Sequence, residues 1–396
     1  MNKALIVILA TVALDAIGGG MIFPILPDLL KELFAAGDIS VLYGILLAVY
    51  SGMQFLFSPA LGALSDRYGR RPVLLISLAG AMLDYLVMAL SPLGWVLVVG
   101  RAIAGLTSAN MAVATAYIAD ITTEEERASR YGLIGAIMGV GFIIGPALGG
   151  ILCVWWLRAP FLAAAMFNGL NLALALFVLP ETRKTTTSAG FDWSALNPVA
   201  PLVWLWNFRK LLPLVLVYVV FGLIAAVPAT IWVLYGADRF GWDALTIGAS
   251  LSVFGVATAL AQGLLVGPTS KRFGDLGTLM IGVGFDAVAY LAMAFANQSW
   301  MGFAVAPLFA IGGLAGPALQ SMLSGRVGPD KQGQLAGVLT SLASLAAIGG
   351  PVLATLLYTA TRDVWLGTVW TVAATLYVLA TPLFLLVKAP HELPAA

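Results

Sequence analysis

Four ionisable residues, Asp15, Asp84, Asp286 and Arg101, remain inside long apolar runs once the charges between those runs are set aside. An ionised carboxylate near the middle of a bilayer costs about 2.5–3.5 kcal/mol, so it must face a cavity or a partner. Protonating an aspartate at pH 7, from its ordinary pKa of about 3.9, costs roughly 4 kcal/mol. The two magnitudes are comparable. An aspartate in this setting can take up and release a proton near neutrality, which is the chemistry of a proton-coupled carrier. The competing role for each acid is structural: permanent pairing with Arg101, or capping by hydroxyls. Gln54 and Gln262 are neutral candidates for the same cavity, or interhelical glue worth about 1 kcal/mol. Asp15 lies in LDAIGGGMIFPILP, where Gly18, Gly19 and Gly20, followed by Pro24 and Pro27, weaken a helix. An acid beside a breakable helix suits a site that opens to alternate sides; close helix packing is the other use of such glycines.

The elements that position these groups follow from composition. Hydrophobic residues make up 61% and charged residues 10% of the 396, and mean hydropathy is +0.98. A soluble domain carries about 25% charge, so the chain belongs in a membrane. A spanning helix needs about 20 apolar residues. Charge-poor runs of that length lie near 4–26, 41–63, 72–91, 95–119, 131–154 and 159–180, then near 211–235, 245–266, 276–296, 300–324, 334–358 and 364–387. The predicted fold is an all-α membrane protein of twelve transmembrane helices in two six-helix bundles. The first bundle takes residues 1–180 and the second 211–396. Between them, 181–210 is predicted to be a linker that lies partly at the interface, where Trp193, Trp204 and Trp206 favour it.

A repeat supports the division. GALSDRYGRR at 62–71 returns in weaker form as GPTSKRFGDL at 267–276, and IIGPALGG at 143–150 returns as IGGPVLAT at 348–355. Both pairs are offset by 205 residues, the mark of a duplicated membrane unit. In the first motif Gly62 and Gly69 are expected to allow a tight turn. Gly132, Gly135, Gly139, Gly141, Gly145 and Gly149 form small-xxx-small pairs in the fifth run, where a neighbouring helix can approach closely and Pro146 bends the contact. Ahead of that run, Thr122 with Glu125 and Thr123 with Glu126 read as overlapping capping boxes.

With both termini cytoplasmic, fifteen cations fall on the inner side and four, Lys31, Arg158, Arg239 and Arg362, on the outer. That asymmetry sets the expected orientation. A net charge of +1 gives no sign of nucleic acid, and Cys153 is alone. The single histidine, His391, lies in the tail. With no metal-ligand or nucleophile constellation in the spans, an enzyme is not expected. Three isolated acids in a duplicated six-span unit also fit a passive channel poorly.

On these residues the chain resembles the major facilitator superfamily, and within it the twelve-span drug/proton antiporters. GALSDRYGRR resembles the loop signature of the whole superfamily, RAIAG at 101–105 the fourth-span arginine signature, and GFIIGPALGG the fifth-span antiporter signature. A nearer likeness, over almost the full length, is to the tetracycline efflux proteins of Gram-negative bacteria. LDAIGGGMIFPILP, RPVLLISLAGAMLDYL, VPATIWVLYGADRFGW, GFDAVAYLAMAFA and GPALQSMLS carry it. The resemblance implies that Asp15, Asp84 and Asp286 serve drug–proton exchange. It assigns Asp66 and Arg70, with Gly62 and Gly69, to conformational switching, and Arg101, Asp120 and Arg127 to polar support of the first half. It gives Gly141, Gly145, Pro146 and Gly149 to antiporter-motif packing. It further implies a carrier in the bacterial inner membrane that rocks between inward-open and outward-open states. Tetracycline would leave as a chelate with a divalent cation, magnesium, while protons enter. Where related proteins carry a histidine in the eighth span, alignment on Gln262 places Thr258 here. A multidrug or metabolite antiporter of the same superfamily is the alternative.

Overall fold

The computed structural model describes residues 3–34, 38–108, 110–182, 211–328 and 331–386, and its regular elements are all α-helices. The first eight are α1 (Lys3–Ile22), α2 (Leu26–Phe34), α3 (Ser40–Tyr68), α4 (Arg70–Leu90), α5 (Gly94–Thr107), α6 (Asn110–Ile121), α7 (Glu124–Cys153) and α8 (Ala159–Val178). There follow α9 (Leu212–Phe240), α10 (Ala244–Leu264), α11 (Val266–Phe295), α12 (Ser299–Ala304), α13 (Ala306–Gly312), α14 (Ala315–Ser324), α15 (Gln332–Thr361) and α16 (Thr368–Leu386). Among the described residues eleven helical segments are long and apolar enough to cross a membrane, and α16 adds a shorter apolar stretch over Thr368–Pro382. The protein is therefore a multi-pass membrane protein. Side chains such as Met166 and Phe177 on α8, 72% and 88% exposed, would be costly in water and are at home in lipid. Most of the expected linker, residues 183–210, lies outside the described residues.

Two compact units form: Met1–Pro198 with Asp243–Ser252, and Val199–Trp242 with Val253–Ala396. In the first, Ile8, Val12, Leu74, Leu78, Tyr117 and Ile118 build a core shared by α1, α4 and α6. The beginning of α10 joins this unit through α7, where Ser252 Oγ donates to the Ile143 carbonyl at 2.6 Å.

The glycine-rich α7 lies along α1. Gly141 faces Ala16 and Ile17, Gly145 faces Ile17 and Gly20, and Gly149 faces Met21. A Cβ added at Gly145 would come within 2.7 Å of the Ile17 carbonyl oxygen and 2.9 Å of Gly20 Cα. Backbone meets backbone here. The helix α1 stays intact through Gly18, Gly19 and Gly20, so close packing, rather than a breakable helix, is what the Gly20 contact shows. Pro24 sits in the turn after α1, and Pro27 in the first turn of α2, where a missing N–H costs little. In the second unit glycine meets the Cβ of alanine instead, with Gly222 against Ala346 and Gly350 against Ala226, joining α9 to α15. Ala346 and Gly350 stand 205 residues beyond Gly141 and Gly145.

The same offset appears in the backbone. Gly69 has φ +103° and Gly274 φ +69°, a region only glycine enters freely; Gly69 turns the chain between α3 and α4, and Gly274 kinks it within α11. Gly62 makes no turn. It lies inside α3, where its carbonyl accepts from Ser65 Oγ at 2.8 Å. The fourth span is interrupted after Thr107 at Ser108, and the tenth at Val305 and again at Gly313. Neither interruption was expected from apolar runs alone. The capping boxes also need correction. Thr123 occupies the position before α7 without a side-chain cap bond, and Thr122 Oγ1 instead donates 2.6 Å back to the Ile118 carbonyl of α6.

Candidate functional site

The break in the fourth span brings the polar groups of the first unit together. Asn110, at the start of α6, donates from Nδ2 to Asp15 Oδ1 at 2.9 Å. Two residues earlier, Ser108 Oγ lies 3.0 Å from the Tyr50 hydroxyl and accepts from Gln54 Nε2 at 2.9 Å. The Tyr50 ring stacks beneath Arg101, whose Cζ lies 5.2 Å from the ring centroid. Arg101 in turn forms an ion pair with Asp84, with its Nε 3.3 Å from Asp84 Oδ1. Non-helical backbone at this depth is tolerated where it lines a cavity or is buried in protein.

The three acids are not chemically equivalent. Asp84, 2% exposed, is held by a guanidinium, so protonating it would strand Arg101 in a site of low polarity. Asp15 has a neutral amide donor instead. Asp286, on α11 of the second unit, accepts 2.8 Å from the hydroxyl of Tyr377 on α16. Groups held by neutral donors can carry a charge or a proton without leaving a cation unpaired. For Asp84 the structure realises the pairing with Arg101 that was the structural alternative.

At the α3–α4 turn, Arg70 is a hub. Its guanidinium binds Asp66 at 2.9 Å, Asp120 at 3.1 Å and Ser65 Oγ at 2.8 Å. Glu181, just past α8, accepts from the backbone N–H groups of Arg70 and Arg71 at 2.9 and 3.1 Å. A carboxylate there satisfies the free amides of the first turn of α4 and complements its dipole. Arg127 reaches the Ala119 carbonyl at 3.3 Å, one residue short of Asp120. In the second unit the equivalent turn places Asp275 where Arg70 stands, accepting from Ser270 Oγ at 2.9 Å and Ser321 Oγ at 2.6 Å. Thr258 is half-buried and its hydroxyl is enclosed without a hydrogen-bond partner among the described residues, while Gln262 is exposed.

Sequence reasoning missed Asn110, Ser108, Tyr50, Glu181 and Tyr377. Asn110 and Ser108 carried a weak signal, a TSAN cluster interrupting an apolar run. Glu181 reads in the sequence as the first residue of a linker. Tyr50 and Tyr377 look like ordinary apolar-face aromatics, and only the third dimension reveals their partners. Among the described residues no group of three or more acids, histidines or cysteines is placed to hold a metal ion.

Comparison with known proteins gives consistent likenesses. The family model of the Major Facilitator Superfamily matches residues 8–249 and 214–396. The tetracycline resistance protein, class C, of Escherichia coli is 49% identical over 381 residues, covering 96% of this chain and 96% of that protein. The class G protein of Vibrio anguillarum is 46% identical, covering 97% of each. Among solved structures, the nucleoside transporter NupG shares the fold, with a TM-score of 0.79 at 13% identity over 98% of this chain and 100% of that one.

Proposed function

Because the chain belongs to the major facilitator superfamily, and within it to the tetracycline resistance proteins, we propose that it exports tetracycline from the cytoplasm in exchange for protons. It is a transporter rather than an enzyme. The observation that carries the reading is 49% identity across nearly the whole length of a tetracycline resistance protein. The site is compatible with that task. Asp15 and Asp286, each held by a neutral donor, are the proton-exchanging acids of their own units, and Asp84 with Arg101 is the fixed pair in the polar network of the first unit. Asp66, Arg70, Asp120 and Glu181 hold the α3–α4 turn and switch it between states. The drug travels as its chelate with a divalent cation such as magnesium, so the cation is cargo. The protein sits in the bacterial inner membrane with both termini cytoplasmic, the side that then receives fifteen of the cations.

Everted membrane vesicles test this reading. Tetracycline with magnesium should accumulate when a pH gradient, acid inside, is imposed, and should leak back when an ionophore collapses the gradient. Asp15→Asn and Asp286→Asn should abolish accumulation while leaving the protein in the membrane. Accumulation that survives the ionophore, or undiminished transport in both variants, refutes it.

A further inference from the structure

Asp286 is packed more specifically than a lone buried acid requires. It is 8% exposed, and among the described residues no lysine or arginine pairs with it. Its carboxylate lies directly against Gly312, the last residue of α13, where an added Cβ would overlap the carboxyl group. One residue later the tenth span is interrupted. The other side of the carboxylate is held by the Tyr377 hydroxyl at 2.8 Å.

Two aromatic contacts fix the Tyr377 ring: Phe221 on α9, edge-on at 5.0 Å between centroids, and Tyr290 on α11 at 5.7 Å. Tyr290 stands one helical turn beyond Asp286, yet its own hydroxyl is committed to the Ile224 carbonyl at 2.9 Å. Thus the titratable groups around Asp286 are Tyr290 from its own helix and Tyr377 from α16. The α9 and α13 faces present Phe221, Phe309 and Gly312. Of the two tyrosines only Tyr377 addresses the acid. A phenol suits an acid that changes protonation, because it donates to a carboxylate and, by rotating its hydrogen, accepts from a carboxylic acid. An amine or guanidinium can only donate.

We propose that Tyr377 is the positioning residue of Asp286, its hydroxyl holding the carboxylate against the Gly312 break so that proton uptake is passed to the tenth span. This rests on the proton-exchange reading and names how one of its acids is coupled to the backbone. The positioning role predicts that Tyr377 matters for coupling and not for carrying the drug.

The test uses purified full-length protein in lipid vesicles, with radiolabelled tetracycline and magnesium chloride as the probe. Two rates are measured: uptake driven by an imposed pH gradient, and tetracycline counterflow with no gradient. Tyr377→Phe should lower gradient-driven uptake about 10-fold or more, the effect of losing a hydrogen bond to a charged group. Counterflow should stay within about twofold, as for a substitution that leaves packing intact. In an Asp286→Asn background, where no gradient-driven uptake is left to lose, counterflow is the readout, and Tyr377→Phe should add nothing to it, because it acts through that acid. Wild-type rates in both assays, parallel loss of both rates, or independent effects in the double variant overturn the proposal. Wild-type protein showing counterflow but no gradient-driven uptake would instead overturn proton exchange itself.

Discussion

Replacing Arg101 by glutamine isolates a buried acid, and the cost can be worked from the site. The Asp84 side chain is 1% exposed and that of Arg101 11%, so water cannot take over the pairing. Breaking a buried pair from one side costs about 3–5 kcal/mol. Asp84 has a way out, which is to take a proton. At pH 7 that costs about 4 kcal/mol from an ordinary aspartate pKa of about 3.9, and the figure falls by about 1.4 kcal/mol for each pH unit. The proton route sets the ceiling. Arg101→Gln should therefore be destabilised by about 3–4 kcal/mol at pH 7 and by only about 1.5 kcal/mol at pH 5, since a lower pH supplies the proton that the lost cation made unnecessary. Equilibrium unfolding of the detergent-purified protein at both pH values measures this, alongside Asp84→Asn and the double variant. The double variant should be more stable than Arg101→Gln alone, because it carries no stranded charge. A deficit below about 0.5 kcal/mol, the range of ordinary surface substitutions, would refute the pairing as an energetic unit. So would a deficit that does not change with pH.

Glu181→Ala removes the acceptor for two backbone amides of α4 and should cost about 1 kcal/mol, read as a lowered midpoint in the same unfolding assay. Glu181→Gln, which keeps an acceptor oxygen, should lose less. Asp243 precedes α10, and hydrogen bonds from the Thr246 side chain and then from the Thr246 N–H, at 2.8 Å, hold its carboxyl below the usual aspartate range. A lowered folded-state pKa stabilises above the unfolded value and is lost as pH falls through the folded one. Asp243→Ala should thus cost about 1 kcal/mol at pH 7, and the gap to wild type should narrow as pH falls below the ordinary aspartate pKa. Thr258→His places a group of reference pKa about 6.5 at an enclosed hydroxyl position, and should change the transport–pH profile between about pH 6 and 7. An unchanged profile with normal expression would make Thr258 a packing residue.

The spans were readable because a bilayer demands long apolar runs, and the repeat was readable because two motifs shared one offset. The interruptions at Ser108 and Gly313 were not, since hydropathy averages over a few residues between two helical segments. The intramembrane acids announced themselves by rarity, whereas their partners did not. Asn110 and Tyr377 become informative only when α6 meets α1 and α16 meets α11. Gly62 and Gly69 show the limit of reading residue type alone. Both glycines bracket the motif, but only Gly69 has a positive φ and lies tight against the Glu181 carboxylate. The polar network at Arg70 was half visible: Asp66 is in the same motif, while Asp120 on α6 and Glu181 just past α8 come from far along the chain.

The α1–α7 seam has a mechanical consequence. Most helix pairs touch through side chains that can change rotamer, so each contact acts as a soft spring. Where Gly145 and Gly149 lie on the backbone of α1, that spring is missing. Sliding one helix along the other would drive main-chain atoms into collision, because a displaced backbone has no rotamer to yield. The two helices must then turn as one stiff beam, and bending has to be absorbed elsewhere. In the first unit the interruption at Ser108, where the backbone leaves the helical region, is the place for it. The first unit thus pairs a rigid girder with a jointed strut, and the acid on α1 rides on the girder while its amide partner hangs from the joint.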